Sequence, residues 1–329
     1  MHEILILIII LAVIFDIANG WHDAANAIAT VVSTKVLSPT TAVAIAACME
    51  ILGAFLTTAV AKTIGSGIVD PTAITDTVLI AALFSAILWN LITLFLGLPV
   101  SSSHALVGGI IGGSIAFGGT SILNVVGILK IFSSLLVSPV LGLIIGYLFM
   151  KMILSLFGHL APGTISKYFG RLQIISSSLM AFGHGSNDAQ KAMGIITMAL
   201  VSGGVIQTLD VPKWVILICA FAMGCGVLFG GWKIIKTLGV KMLKLEPIHG
   251  FAAETSATAI IISASHFGLP VSTTHVISSA ILGVGATKRL SAVRWGIAGK
   301  IVTAWIFTLP ACIAMAWCLQ SILAYYHIH

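Results

Sequence analysis

The chain has 329 residues, of which 58% are hydrophobic and only 8% charged, with a formal net charge of +6. A soluble domain carries roughly a quarter charged residues, and so few charges cannot cover its outside; the composition describes an integral membrane protein. A nucleic-acid partner is excluded, because the lysines and arginines sit in short gaps between apolar runs, where cytoplasmic loops need them.

In chain order, apolar runs that approach the roughly 20 residues needed to cross a hydrocarbon core cover 4–18, 41–61, 78–98, 122–150, 215–231 and 296–319. The first does not read as a cleaved signal peptide, since Met1-His2-Glu3 offers no basic start and no small-residue cleavage site follows. Cys48, Cys219, Cys225, Cys312 and Cys318 all lie in apolar stretches without metal-ligand spacing, as expected of thiols acting as small hydrophobes.

Self-similarity organises the chain. Gly20-Trp21-His22-Asp23-Ala24-Ala25-Asn26-Ala27 returns as Gly185-Ser186-Asn187-Asp188-Ala189-Gln190-Lys191-Ala192. Lys62-Thr63-Ile64-Gly65 returns as Lys236-Thr237-Leu238-Gly239. Gly97-Leu98-Pro99-Val100-Ser101-Ser102-Ser103-His104 returns as Gly268-Leu269-Pro270-Val271-Ser272-Thr273-Thr274-His275. Lys130 and Pro139 match Lys300 and Pro310. The blocks keep one order and nearly one spacing, so the chain divides into a repeat over 1–150, a cytoplasmic linker over 151–171 and a second repeat over 172–329.

Loop charge argues that the repeats are inverted. The loop after Lys62 holds Asp70 and Asp76, whereas its counterpart holds Lys233, Lys236, Lys241 and Lys244. The uncharged loop 118–121 corresponds to one with Lys288, Arg289 and Arg294. Threading the chain under these constraints places both termini outside and makes each GLPV block the bend of a returning pair of segments. The expected fold is an all-α integral membrane protein, with two inverted-topology repeats, interrupted helices and about 10–12 membrane segments. That architecture is common to secondary transporters, with the site between repeats near the midplane.

Five of the ten carboxylates, Asp16, Asp23, Glu50, Asp188 and Glu254, lie within or against apolar segments. An ionisable group in hydrocarbon costs at least ~2.5 kcal/mol and persists where it faces a cavity, a partner or an ion. Asp23 and Asp188 are equivalent, and one of them alone would read as a structural ion pair. The small residues 24–25 and 183–186 admit a ligand to the backbone, so Asn26, Asn187 and freed carbonyls offer hard oxygen ligands for sodium or a proton network; close packing of helices on small residues is the bland alternative. Pro99 and Pro270 suit the first turn of a helix. Ser101, Ser102 and Ser103, with Ser272, Thr273 and Thr274, then set hydroxyls beside free amides, a ready oxyanion site, or simply cap their own helices. Lys191 stands where the first repeat has Asn26, placed for an anion or carboxylate contact or to snorkel. His104, His184 and His275 read as polar residues at helix ends or as ligands.

With those residues in view, the chain resembles the inorganic phosphate transporter family, PiT or Pho-4, over nearly its whole length, through residues 19–27 and 183–191 and both GLPV-S-[ST]-[ST]-H blocks. The resemblance implies an inverted-repeat fold with two hairpin-like elements, a homodimer, and phosphate carried with sodium or protons across the cytoplasmic membrane. It makes Asp23, Asp188, Glu50, Glu254 and His184 the ion-coupling residues, without a cofactor. Sodium-coupled members read Asn-Asp in both copies, whereas this chain has His22-Asp23 in the first. An imidazole weakens a sodium site at Asp23, Asn26, Asn187 and Asp188 and supplies a titratable group, so proton symport is expected, as in the bacterial low-affinity branch. The rivals are sodium symport, sulfate carriage, a passive anion channel, and a hydrolase using Ser102 or Ser103 with His104. An enzyme is the poorest fit, because adjacent serine and histidine rarely reach nucleophile–base geometry.

Overall fold

The computed structural model describes residues 2–71, 73–288, 291 and 293–326; Arg289, one of the loop charges counted above, lies outside the described residues. Six helices, α1 (His2–Ser33), α2 (Pro39–Gly53), α3 (Ala59–Gly67), α4 (Asp76–Leu96), α5 (Ser102–Gly118) and α6 (Val125–Phe157), are followed by six more. These are α7 (Pro162–Ser202), α8 (Lys213–Phe229), α9 (Trp232–Lys236), α10 (Pro247–His266), α11 (Thr273–Lys288) and α12 (Trp295–Tyr325), with a π-helical stretch Thr237–Lys241 after α9. Among the described residues there is no strand beyond an isolated bridge between Val69 and Leu123. Each duplicated block falls on corresponding elements: Asp23 in α1 and Asp188 in α7, the GLPV blocks before α5 and α11, Pro139 inside α6 and Pro310 inside α12.

Four helices, α1, α4, α6 and α12, are long and apolar enough to cross a membrane alone. A fifth span is the pair 213–229 and 232–241, bent by 62°. The others are shorter or, like α7, carry polar residues that the fold buries. The stretch 151–171 is helical except at 158–161, holding the end of α6 and the start of α7 with Pro162 in its first turn.

The glycine of each GLPV block does what its position requires. Gly97 has φ 70° and Gly268 φ 65°, left-handed values that close α4 and α10. At these ends Leu98 N–H bonds the Thr93 carbonyl at 2.9 Å and Leu269 N–H that of Ala264 at 2.8 Å, the six-to-one bond of a Schellman end. The prolines correct the sequence reading: they precede the helices instead of opening them. Ser101 and Ser272 take the cap positions, accepting from the amides of His104 at 3.1 Å and His275 at 3.2 Å. Pro99 and Pro270 therefore lie in a non-helical link. A second correction concerns the interruptions. Residues 20–27 and 183–192 lie inside unbroken helices, because their small side chains let neighbours pack closely while the backbone keeps its own bonds.

Buried apolar residues form two clusters, and α1 and α7 cross both. On α1, Ile8, Ala12 and Phe15 belong to one cluster and Ala24 to Val31 to the other, with Asp16, Asn19, His22 and Asp23 between. On α7 the order is reversed: Met180 and Ala181 share the cluster of Ala24, and Ala189 to Leu200 that of Phe15. A polar layer thus separates two apolar ones. Two clefts flank the hairpins, one of about 360 Å3 between α6 and α10 and one of about 570 Å3 between α4 and α12.

Adding a Cβ at a left-handed residue costs about 1–2 kcal/mol, so Gly97→Ala and Gly268→Ala should each lower the thermal unfolding midpoint in detergent. Gly163→Ala, where a Cβ meets nothing within 4 Å, should leave it unchanged or slightly raised.

Candidate functional site

Polar residues of α1 recur at helical spacing: Asp16, Asn19, Asp23, Asn26 and Thr30, all buried. On α7 the same face carries Gln173, Ser177, His184, Asn187, Asp188 and Lys191, also buried. A stripe with 3–4 residue spacing on an otherwise apolar helix faces the protein interior. The α1 and α7 stripes meet where the starts of α5 and α11 arrive.

Asp23 is the meeting point. Its Oδ2 accepts from Ser102 Oγ at 3.1 Å and its Oδ1 from Thr274 Oγ1 at 3.1 Å, so one carboxylate holds both broken-helix starts. His22 Nδ1 lies 2.7 Å from Asp23 Oδ1, and its Nε2 lies 3.1 Å from Thr93 Oγ1 of α4. Asn26 Nδ2 donates to Thr274 Oγ1 at 3.0 Å and Thr273 Oγ1 at 3.4 Å. From the other repeat, Lys191 Nζ reaches Asp188 Oδ2 at 2.6 Å and Ser102 Oγ at 3.1 Å. His184 links Asp188, 3.5 Å from its Nε2, to Glu50, 3.0 Å from its Nδ1. Gly185 admits α2 this closely, since a Cβ there would overlap the Glu50 backbone. A hydrogen-bonded chain thus runs from Asp188 through Lys191, Ser102 and Asp23 to His22, and His184 and Glu50 extend it by ion-pair proximity, without a hydrogen bond between them.

The remaining candidates part from it. Ser101 and Ser272 spend their hydroxyls as caps, as the bland reading allowed, and Ser103 Oγ donates to the Val271 carbonyl at 2.9 Å, bracing one helix start against the other bend. Asn187 turns to Ser265 Oγ at 3.0 Å and the Leu269 carbonyl at 3.3 Å, behind the second bend. Glu254 sits apart, its carboxylate accepting from Thr30 Oγ1 at 2.5 Å, Gln173 Nε2 at 3.1 Å and Ser176 Oγ. His184 is mid-helix, not at a helix end. His104 and His275 do stand at helix starts, where their rings lie 4.8 Å apart.

Sequence reasoning missed Asn19, Thr93, Gln173, Ser176 and Ser265. Asn19 Nδ2 lies 3.4 Å from Asp188 Oδ2, and the 16–19–23–26–30 spacing was the signal that could have found it. Gln173 shares that kind of signal, lying on the polar stripe of α7, whereas Thr93, Ser176 and Ser265 carry none apart from tertiary contact.

Asp23, His184 and Asp188 each offer an atom, all within 4.8 Å of one another. As a sodium cage this set fits poorly. Imidazole is a ligand for transition metals rather than hard cations, and Asp23 and Asp188 Oδ2 are already engaged by donors. Asn19 Oδ1, Asn26 Oδ1 and Asp188 Oδ1 are buried without a hydrogen-bond partner. For an anion the fit is better: two helix starts leave their first amides without intrahelical acceptors, beside Ser102, Thr273, Thr274 and the Lys191 ammonium.

Two helical hairpins, α4–α5 and α10–α11, meet at this buried polar layer, an arrangement found in membrane carriers. Residues 19–316 match the model of the phosphate transporter family, and the chain belongs to that family. It is 48% identical over 308 residues to a probable low-affinity inorganic phosphate transporter of Bacillus subtilis (strain 168), covering 93% of this chain and 92% of that one. The corresponding protein of Rhizobium meliloti (strain 1021) is 46% identical, covering 94% and 93%. A solved structure described as the sodium-dependent phosphate transporter superposes with a TM-score of 0.91 at 28% identity, covering 98% of this chain and 99% of that one.

Removing one partner of a buried ion pair costs about 3–5 kcal/mol, because the other charge is stranded. Lys191→Met should therefore destabilise the protein strongly in chemical unfolding, and adding Asp188→Leu should recover part of the loss.

Proposed function

We propose that this chain is a secondary active transporter that imports inorganic phosphate across the cytoplasmic membrane together with protons. The observation that carries the reading is the basic partner on each aspartate of the duplicated pair: His22 on Asp23 and Lys191 on Asp188. A cation entering this site competes with donors that the carboxylates already accept, whereas a proton only redistributes along the network. Phosphate binds between the starts of α5 and α11, held by their free amides, Thr273 and Lys191, with Ser102 and Thr274 turning their protons from Asp23 to the anion as it enters. Its own proton is donated to an open acceptor such as Asp188 Oδ1; sulfate has no such proton and meets that acceptor with repulsion, which disfavours it relative to phosphate.

Alternating access follows from inverted repeats. What supports the inversion is that α1 and α7 pass through the two apolar clusters in opposite order. Both termini then lie outside, 151–171 is the cytoplasmic connection between the repeats, and Glu254 is a further coupling residue. The homodimer comes from the family resemblance. Sodium symport is the second reading; the unpartnered oxygens of Asn19, Asn26 and Asp188 favour it.

The test is phosphate uptake into proteoliposomes under separately imposed gradients, with sulfate as competitor. An inward proton gradient alone should drive uptake, a sodium gradient alone should not, and sulfate in excess should leave the rate unchanged. His22→Asn should weaken the proton drive and gain sodium stimulation. A strict sodium requirement in the unaltered protein would move the coupling to the second reading, and sulfate uptake in place of phosphate would end the substrate assignment.

A further inference from the structure

The carbonyls of Pro99 and Pro270 are each held by a side chain of the opposite repeat. Trp305 of α12 donates its indole N–H to the Pro99 carbonyl at 2.8 Å. Ser134 of α6 donates its hydroxyl to the Pro270 carbonyl at 2.7 Å. The donors are a matched pair, each five residues before the proline inside its helix, Pro139 in α6 and Pro310 in α12. The arrangement is therefore reciprocal: the first repeat's α6 moors the second bend, and the second repeat's α12 moors the first.

The two moorings differ in strength. The Trp305 ring also stacks on His275, the third residue of α11, at 3.9 Å between centroids and 25° between planes, and His275 in turn meets His104, the third residue of α5. One indole thus holds the first bend by its N–H and the start of α11 by its face, and His275 passes the contact on to the start of α5. Ser134 has a single proton, which it divides between Pro270 and the Ile131 carbonyl at 2.8 Å, and it lines the cleft between α6 and α10.

We propose that Trp305 and Ser134 are the positioning residues of the anion site: by fixing the proline carbonyls, they set where the starts of α5 and α11 stand relative to Asp23 and Lys191. Neither touches the substrate. A proline carbonyl two residues ahead of its cap serine cannot shift without moving the amides and hydroxyls behind it. The inference rests on the reading that those two helix starts hold phosphate.

The experiment is inorganic phosphate uptake by the full chain in proteoliposomes, with KM and maximal rate measured separately at matched protein content. Trp305→Phe keeps a ring for His275 and loses the N–H; Ser134→Ala loses the hydroxyl and Ser134→Thr restores it. Each loss should raise KM about fivefold, the worth of one buried hydrogen bond, with a smaller change in maximal rate, and Ser134→Thr should return KM towards the original value. Should Trp305→Phe fail to fold, the two Ser134 variants carry the test alone. Ser102→Ala and Thr274→Val separate the possible failures. If they raise KM while Trp305→Phe and Ser134→Ala leave it unchanged, or only lower the rate without rescue by threonine, the positioning role is overturned and the site stands. If Ser102→Ala and Thr274→Val leave KM unchanged too, the site reading itself falls.

Discussion

The hydrogen bonds from Ser102 and Thr274 to the Asp23 carboxylate tie α1 to the starts of α5 and α11 at one point. A carboxylate buried in this layer must be met by donors from every side, or the desolvation of its charge destabilises the fold. Those donors come from two chain segments more than 170 residues apart, so satisfying Asp23 requires both hairpins to return to the same place. The Schellman ends at Gly97 and Gly268, the caps at Ser101 and Ser272, and the close approach of α2 at Gly185 all serve that requirement.

Duplication supplies the frame, and departures from it supply the chemistry. Where the first repeat has Asn26, reaching Thr273 and Thr274 across the site, the second has Lys191, whose ammonium pairs with Asp188 and reaches back to Ser102. Where the second repeat has Asn187, committed to bracing the second bend, the first has His22 against Asp23. The polar layer is thus symmetric in backbone and asymmetric in charge. Glu254 differs again, having only neutral donors around it.

Much of this was legible before any coordinates. Repeated blocks predicted corresponding elements, and paired aspartates in apolar surroundings predicted a shared polar centre, because both inferences rest on the cost of burying charge. Local backbone conformation was less legible. Pro99 and Pro270 fit a helix's first turn equally well as a chain entering it, and only the cap serines and the donors Trp305 and Ser134, far away in sequence, decide between the two. The small residues at 24–25 and 183–186 suit both a broken helix and a tightly packed one; the neighbours that press on them choose packing. Asn19 was readable from its spacing, whereas Thr93, a threonine like many others on an apolar helix, was not.

The two clefts beside the hairpins have a consequence for the surroundings of the molecule. One is lined largely by apolar side chains such as Val137, Leu141 and Phe267, the other by Ile92, Leu96 and Phe307 with Trp89 and Thr303 among them. In a bilayer such clefts fill with acyl chains, so part of the wall behind each hairpin is lipid rather than protein. Chain order and bilayer thickness then enter the packing energy around both bends, so the stability of the same polypeptide should differ between membranes of different composition.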